Sequence, residues 1–163
     1  LDVGIARGMD IAIGAVDETG WTYLADYAAQ TGATSEYIAR EVASETATIR
    51  RRRALFTPGR APVDAAGRVV IVVDDGLATG ATMIGALHAL RAREPRRLIC
   101  AVPVASPEAC AKVEALADEV VCLHVAPDFY AVGQFYGRFP QVDDREVIEL
   151  LATASANERA PAP

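Results

Sequence analysis

No apolar run in this chain approaches the roughly 18 residues that a membrane-spanning helix needs, and no signal peptide opens it. Histidine occurs twice and cysteine three times. Cys100, Cys110 and Cys122 are odd in number and lack C-x-x-C spacing, and no His/Cys cluster has the spacing of a zinc site. Cys100 and Cys122 sit in apolar stretches and read as small buried hydrophobes in a reducing cytosol. Aromatic residues make up only 6% of the chain. Net positive charge is also absent. The formal charge is −6, which argues against a general nucleic-acid binder. It does not argue against a phosphate ligand, because a loop of backbone N–H groups holds phosphate without basic side chains. What remains is a cytoplasmic globular protein with no membrane contact. Its 163 residues, 52% of them hydrophobic, suit one domain with a full core.

The pattern of apolar residues changes period along the chain. Leu1 to Ala6 reads as a strand. Met9, Ile11, Ile13 and Ala15 alternate at period two, Asp17-Glu18-Thr19-Gly20 reads as a turn, and Trp21 to Leu24 resumes the pattern, so an antiparallel hairpin is expected. From Ser35 to Phe56 the apolar spacing becomes helical through Ile38, Val42, Ile49 and Phe56. Thr34 or Ser35 caps the start and Pro58-Gly59 the end. Val69 to Val73 is a continuous aliphatic run, expected as a strand buried on both faces of a parallel sheet.

A helix over Gly80–Ala92, a strand over Leu98–Val104, a helix from Ser106-Pro107 to Ala117 and a strand over Val120–Val125 follow. A last helix is expected over Asp143–Leu151. The fold class is therefore α/β, a doubly wound, mostly parallel sheet flanked by helices, with a small N-terminal hairpin subdomain. Residues 1–151 form a single domain in this reading. It comprises a hairpin or flap region over 1–33 and a helix with the α/β core over 34–151. Residues 152–163, rich in alanine and proline, read as a flexible tail.

The chemistry concentrates at the end of the first core strand, in Val69-Val70-Ile71-Val72-Val73-Asp74-Asp75-Gly76-Leu77-Ala78-Thr79-Gly80-Ala81-Thr82. In open parallel sheets ligands bind beyond the carboxyl ends of the strands. Neighbouring side chains on a strand point to opposite faces. Asp74 and Asp75 serve one ligand only if the chain turns there, and Gly76 is expected to permit the turn. Two carboxylates suit vicinal hydroxyls or a magnesium ion. Ala78 and Gly80 allow close backbone approach, and the helix that follows directs free N–H groups at an anion. Thr79 and Thr82, three residues apart, share one side of the first turn. The segment thus has an acidic half and an N–H-rich half, the polarity of a sugar phosphate.

This run resembles the signature of the type I phosphoribosyltransferases, position by position. The resemblance implies that Asp74 and Asp75 hold the ribose hydroxyls of 5-phosphoribosyl-1-pyrophosphate (PRPP). Gly76, Leu77, Ala78, Thr79, Gly80, Ala81 and Thr82 complete the binding loop, with Ala78 to Thr82 around the 5-phosphate. It further implies a Mg2+ cofactor near Asp74 and Asp75, held through PRPP or water. The implied reaction is phosphoribosyl transfer to a nitrogen acceptor such as a nucleobase, with release of pyrophosphate, in a homodimer. A narrower resemblance, carried by Ile13-Gly14-Ala15-Val16, Ala101-Val102-Pro103-Val104 and Phe129 to Tyr136, is to a bacterial phosphoribosyltransferase-like group of unestablished acceptor. The family also has an earlier strand, helix and pyrophosphate loop, which would precede Leu1, and a mobile loop whose place here is a compressed Arg7-Gly8. That departure keeps open a non-catalytic regulatory protein that binds PRPP or a nucleotide.

Phe129, Tyr130, Phe135, Tyr136 and Phe139 hold half of the aromatic residues of the chain. They read either as a packed cover over the sheet or as the place where a ring, Phe129 or Tyr130, stacks on the acceptor. Arg7 is a candidate pyrophosphate contact. Arg50 to Arg53 read as a solvated basic face or as a surface for an acidic partner. His88 reads as a packing or surface residue. His124, at a strand end, lies nearer the ligand edge.

Overall fold

Period-two alternation at the front of the chain produces an antiparallel sheet. The computed structural model describes residues 2–6, 10–59 and 63–158. Strands β1 (Asp2–Ala6), β2 (Asp10–Val16) and β3 (Thr22–Leu24) pair in that order, antiparallel throughout. The turn between β2 and β3 is held by one side chain. The Asp17 carboxylate accepts from the Thr19 N–H at 2.8 Å, the Thr19 hydroxyl at 2.6 Å and the Trp21 N–H at 3.1 Å. Trp21 then stacks on His88, ring centroids 3.5 Å apart and planes 7° from parallel. His88 is thus a packing residue, as expected.

Helix α1 (Ser35–Phe56) begins where Thr34 caps it, its hydroxyl accepting from the Tyr37 N–H at 3.2 Å. Ile38, Val42 and Ile49 pack against buried Ile13, Val16 and Ala28. Arg53 pairs with Glu18 in the β2–β3 turn, and Arg93 reaches the same carboxylate at 2.7 Å. The rest of the basic run, Arg50 to Arg52, is exposed.

Strand β4 (Val69–Val73), helix α2 (Ala81–Arg91), strand β5 (Arg97–Ala105), helix α3 (Pro107–Glu114) and strand β6 (Glu119–Val125) form the core. The three strands are parallel and ordered β4-β5-β6, joined by two strand–helix–strand crossovers. Leu98, Cys100 and Val102 of β5 alternate into one face. There they meet Met83, Ile84 and Leu87 of α2 and Ala109, Cys110 and Val113 of α3. Asp118 closes this layer. It accepts from the Leu98 N–H at 2.7 Å and from Arg91 at 2.9 and 3.1 Å.

The architecture is the expected α/β class, a parallel sheet flanked by helices, with the antiparallel sheet packed on α2. Two details differ from expectation. Val69, Ile71 and Val73, expected to be buried on both faces, are 44%, 58% and 73% exposed. All the described core helices lie on the opposite face, so the continuous aliphatic run reports one covered face rather than two. The last helix, α4, runs Asp144–Glu158, past the expected Leu151. Ala152, Ala154 and Ala156 are strong helix formers, although composition alone reads as tail. Among the described residues no helix is long and apolar enough to cross a membrane.

The Asp17 turn carries a pH dependence. Burial raises the carboxyl pKa, and the bonds from Thr19 and Trp21 more than offset this, leaving it below the ordinary 3.8. A depressed pKa means that the stabilisation is present above pH 3.8 and is lost as pH falls through the folded value. Asp17→Ala should cost about 1–3 kcal/mol at pH 7. The gap between variant and wild type should shrink below pH 3.8. Urea titrations followed by Trp21 fluorescence at pH 7 and pH 3 check both.

Candidate functional site

The chain leaves the sheet after Val73 and rejoins it at Leu77. Val73 is paired with Ala101, and Leu77 forms an isolated parallel bridge with Ala105. The Leu77 N–H donates to the Val104 carbonyl at 2.9 Å, and the Ser106 N–H donates to the Leu77 carbonyl at 2.9 Å. Between those two anchors Asp74, Asp75 and Gly76 bow outward. The bow brings both carboxyl-bearing residues to one cleft, although alternation along a straight strand would separate them. Asp74 turns back on the loop, its carboxylate accepting from the Asp75 N–H at 2.9 Å. Asp75 is exposed, and its carbonyl accepts from the Tyr136 hydroxyl at 2.7 Å.

Gly76 serves this bow for a reason other than the one expected. Its φ is not in the left-handed region. A Cβ placed there would lie 2.9 Å from Cγ1 of both Val104 and Val132, so the position lacks room for a side chain. Gly80 is the residue that requires conformational freedom. Its φ is +78°, and it stands immediately before α2. Ser106 fixes the segment between them. Its hydroxyl donates to the Ala78 carbonyl at 2.8 Å and accepts from the Ala109 N–H at 3.1 Å, so one side chain caps α3 and pins the loop.

Residues 74 to 83, together with Val132, line a cleft of about 270 Å³. All nine residues expected in the binding loop, Asp74 to Thr82, are therefore brought together. Their contributions differ. The Leu77 side chain is 2% exposed and belongs to the core, and its N–H is already bonded. Leu77 anchors the loop rather than offering a donor. The N–H groups of Ala78, Thr79 and Gly80 have no acceptor among the described residues, and the Thr79 hydroxyl accepts from the Ala81 N–H at 3.3 Å. The cleft thus has two carboxylates at the strand end and uncommitted N–H groups at the start of a helix whose dipole favours an anion. The sequence pattern assigned Val132, Ser106 and Tyr136 no role at this loop. Their roles depend on where β5 and the segment after β6 pass the loop, which no local spacing encodes.

No group of three or more His, Cys, Asp or Glu among the described residues is arranged to hold a metal by itself. The donor set present, two carboxylates in an open cleft, fits a magnesium ion, which keeps several waters and takes its remaining ligands from a phosphorylated substrate.

Phe129 and Tyr130 do not line this cleft. They border a neighbouring cavity of about 400 Å³, which shares Ala78 and Thr79 with it. Phe129 packs on Phe135, centroids 5.2 Å apart, His124 meets Phe135 edge-on at 5.8 Å, and Tyr136 packs on Phe139 at 5.1 Å. Most of the aromatic cluster is therefore a packed cover, and His124 is part of it. Tyr130 is the exception, at 90% exposed. Arg7 lies outside the described residues. Burial, aided by nearby Cys110, Cys122 and Asp74, pushes the Cys100 thiol up to about 11. Burial and then Glu114 also raise Cys110. Neither supplies a thiolate at neutral pH.

Comparison with known proteins bears on the same residues. A family model described as phosphoribosyl transferase domain matches residues 6–137. Over 156 residues the chain is 35% identical to Mycobacterium tuberculosis proteins of strains CDC 1551 and H37Rv, both provisionally named phosphoribosyl transferases. Those matches cover 93% of this chain and 34% of the relatives, so the chain spans about a third of their length. Among solved structures it is similar to TT1426 from Thermus thermophilus. There the TM-score is 0.69 and the identity 42%, over 94% of this chain and 73% of that one.

The two glycines should respond differently to alanine. Gly80→Ala places a side chain at positive φ and should cost about 1–2 kcal/mol. Gly76→Ala forces two valines apart and should cost about 1–3 kcal/mol through overpacking. Trimming Val132 to Ala should recover part of the Gly76→Ala loss and none of the Gly80→Ala loss. Urea denaturation of the single and paired variants reads this directly.

Proposed function

The chain belongs to the phosphoribosyl transferase family, and from that premise we propose that its cleft binds PRPP with magnesium for transfer of the phosphoribosyl group to a nitrogen acceptor. The observation that carries the reading is the polarity of one cleft, with Asp74 and Asp75 at one end and the open N–H groups of Ala78, Thr79 and Gly80 at the other. Asp74 and Asp75 accept from the two ribose hydroxyls. Ala78 to Thr82 surround the 5-phosphate, with the α2 dipole behind them. This orientation fixes the sugar by both ends and leaves the anomeric carbon free for attack.

In this reading the nitrogen of the acceptor attacks the anomeric carbon with inversion, and the bond to pyrophosphate breaks. Positive charge develops on the ribose ring. Two carboxylates close to the ring favour that charge, and the rigid loop supplies position rather than covalent chemistry. No nucleophilic side chain is required. Magnesium, when bound, neutralises charge on the leaving pyrophosphate, and Asp74 and Asp75 are the residues that would hold it, through water or the sugar oxygens.

Binding and transfer separate experimentally. At about a hundred times its dissociation constant, PRPP with magnesium should stabilise the protein by about 2.7 kcal/mol, seen as a rise in the thermal midpoint. Asp75→Asn combined with Thr79→Ala should abolish that rise while leaving the unliganded midpoint nearly unchanged. A rise that survives the double variant places the ligand elsewhere, and no rise with folded wild type refutes the binding claim. Release of pyrophosphate on adding a panel of nucleobases distinguishes a transferase from a regulatory PRPP binder.

A further inference from the structure

Asp75, at the outermost point of the bow, is held by two hydrogen bonds among the described residues. Its N–H donates to the Asp74 carboxylate at 2.9 Å, a bond internal to the bow. Its carbonyl accepts from the Tyr136 hydroxyl at 2.7 Å. Gly76, the next residue, makes no hydrogen bond among the described residues. The Tyr136 bond joins positions 61 residues apart. The segment after β6 therefore ties down the acidic end of a loop that follows β4.

Tyr136 is itself fixed. It closes a short 3-10 turn over Val132–Phe135, its N–H donating to the Gly133 carbonyl at 3.2 Å. Its ring packs on Phe139, centroids 5.1 Å apart. Phe139 in turn lies against Gly133, where a Cβ would stand 3.1 Å from the Phe139 ring. Val132, at the start of the same turn, closes on Gly76. One turn thus grips the bow twice, through Val132 by contact and through Tyr136 by a hydrogen bond. The Tyr136 side chain is half-buried and does not line the cleft.

The hydroxyl is not needed to satisfy the carbonyl. Asp75 is exposed, and water would donate to that oxygen at little net cost. What water does not supply is a fixed position, because it is not attached to the protein. We propose that Tyr136 is a positioning residue for the acidic half of the cleft. By holding the Asp75 carbonyl it sets the place of the Asp75 carboxylate, and with it the preference of the cleft for a sugar bearing vicinal hydroxyls. The proposal rests on the reading of the cleft as a sugar-phosphate site. Tyr136 touches neither sugar nor phosphate there and acts through Asp75. Its hold matters most when the site is filled. The Asp74 carboxylate then divides its accepting capacity between the Asp75 N–H and a ribose hydroxyl. The Tyr136 bond is the one that the ligand leaves untouched.

The probes are 1,4-anhydroribitol 5-phosphate and tetrahydrofurfuryl phosphate, which share a ring and a phosphate and differ only in the two vicinal hydroxyls. Isothermal titration into the intact chain gives the ratio of their dissociation constants. Wild type should prefer the diol about ten-fold or more, the worth of hydrogen bonds to charged carboxylates. Tyr136→Phe keeps the ring on Phe139 and removes only the hydroxyl. It should weaken the diol about five-fold and leave tetrahydrofurfuryl phosphate unchanged, so the ratio falls by the same factor. In the same variant the carbonyl carbon resonance of Asp75 should move upfield while that of Leu77 stays in place. A merely structural loss would weaken both ligands alike. An unchanged ratio in Tyr136→Phe overturns this proposal and leaves the sugar-phosphate reading standing. No preference for the diol in wild type overturns that reading, and this proposal with it.

Discussion

The site depends on the return of Leu77 to the sheet. Its N–H bond to the Val104 carbonyl and its carbonyl bond from the Ser106 N–H re-enter the parallel ladder four residues after Val73 leaves it. Because the chain is anchored at both ends of that span, Asp74 to Gly76 can only bow outward. Because Leu77 is driven into the core by its own side chain, the residues after it emerge at the start of α2 with their N–H groups uncommitted. A hydrophobic residue in the middle of a polar loop is thus what gives the loop its shape.

Much of this was legible in the sequence, for identifiable reasons. The core strands and helices announce themselves by period, and the two acids followed by Gly76 and Thr79-Gly80 mark a strand–loop–helix junction. The roles of individual residues were less legible. Gly76 looked like a conformational necessity and is a steric one, because Val104 and Val132 come from distant parts of the chain. The exposure of Ile71 and Val73 was invisible for a similar reason. An aliphatic run states how apolar a strand is and cannot state how many faces are covered. The alanines after Leu151 misled in the opposite direction, since the same residue serves helices and loose tails.

Phe129 and Tyr130 illustrate a further limit. Their clustering with Phe135, Tyr136 and Phe139 in sequence suggested one role for the group. In space the group divides. Phe135, Tyr136 and Phe139 pack among neighbouring rings, Val132 in the same segment closes on Gly76, and Tyr130 stands apart. Segment composition located the neighbourhood, and ring packing in space separates exposed Tyr130 from the others.

Ser106 has a consequence for how strongly the loop can hold an anion. Its hydroxyl ties the Ala78 carbonyl to the first turn of α3, so the loop is ordered before any ligand arrives. The conformational entropy of fixing such a segment, about 1–2 kcal/mol per residue, is then a cost of folding rather than of binding. In the proposed phosphate-binding role, the affinity is accordingly not lowered by the ordering of the loop. A loop of the same sequence without that tie would present the same donors and bind more weakly, since part of its interaction with the anion would go into ordering itself.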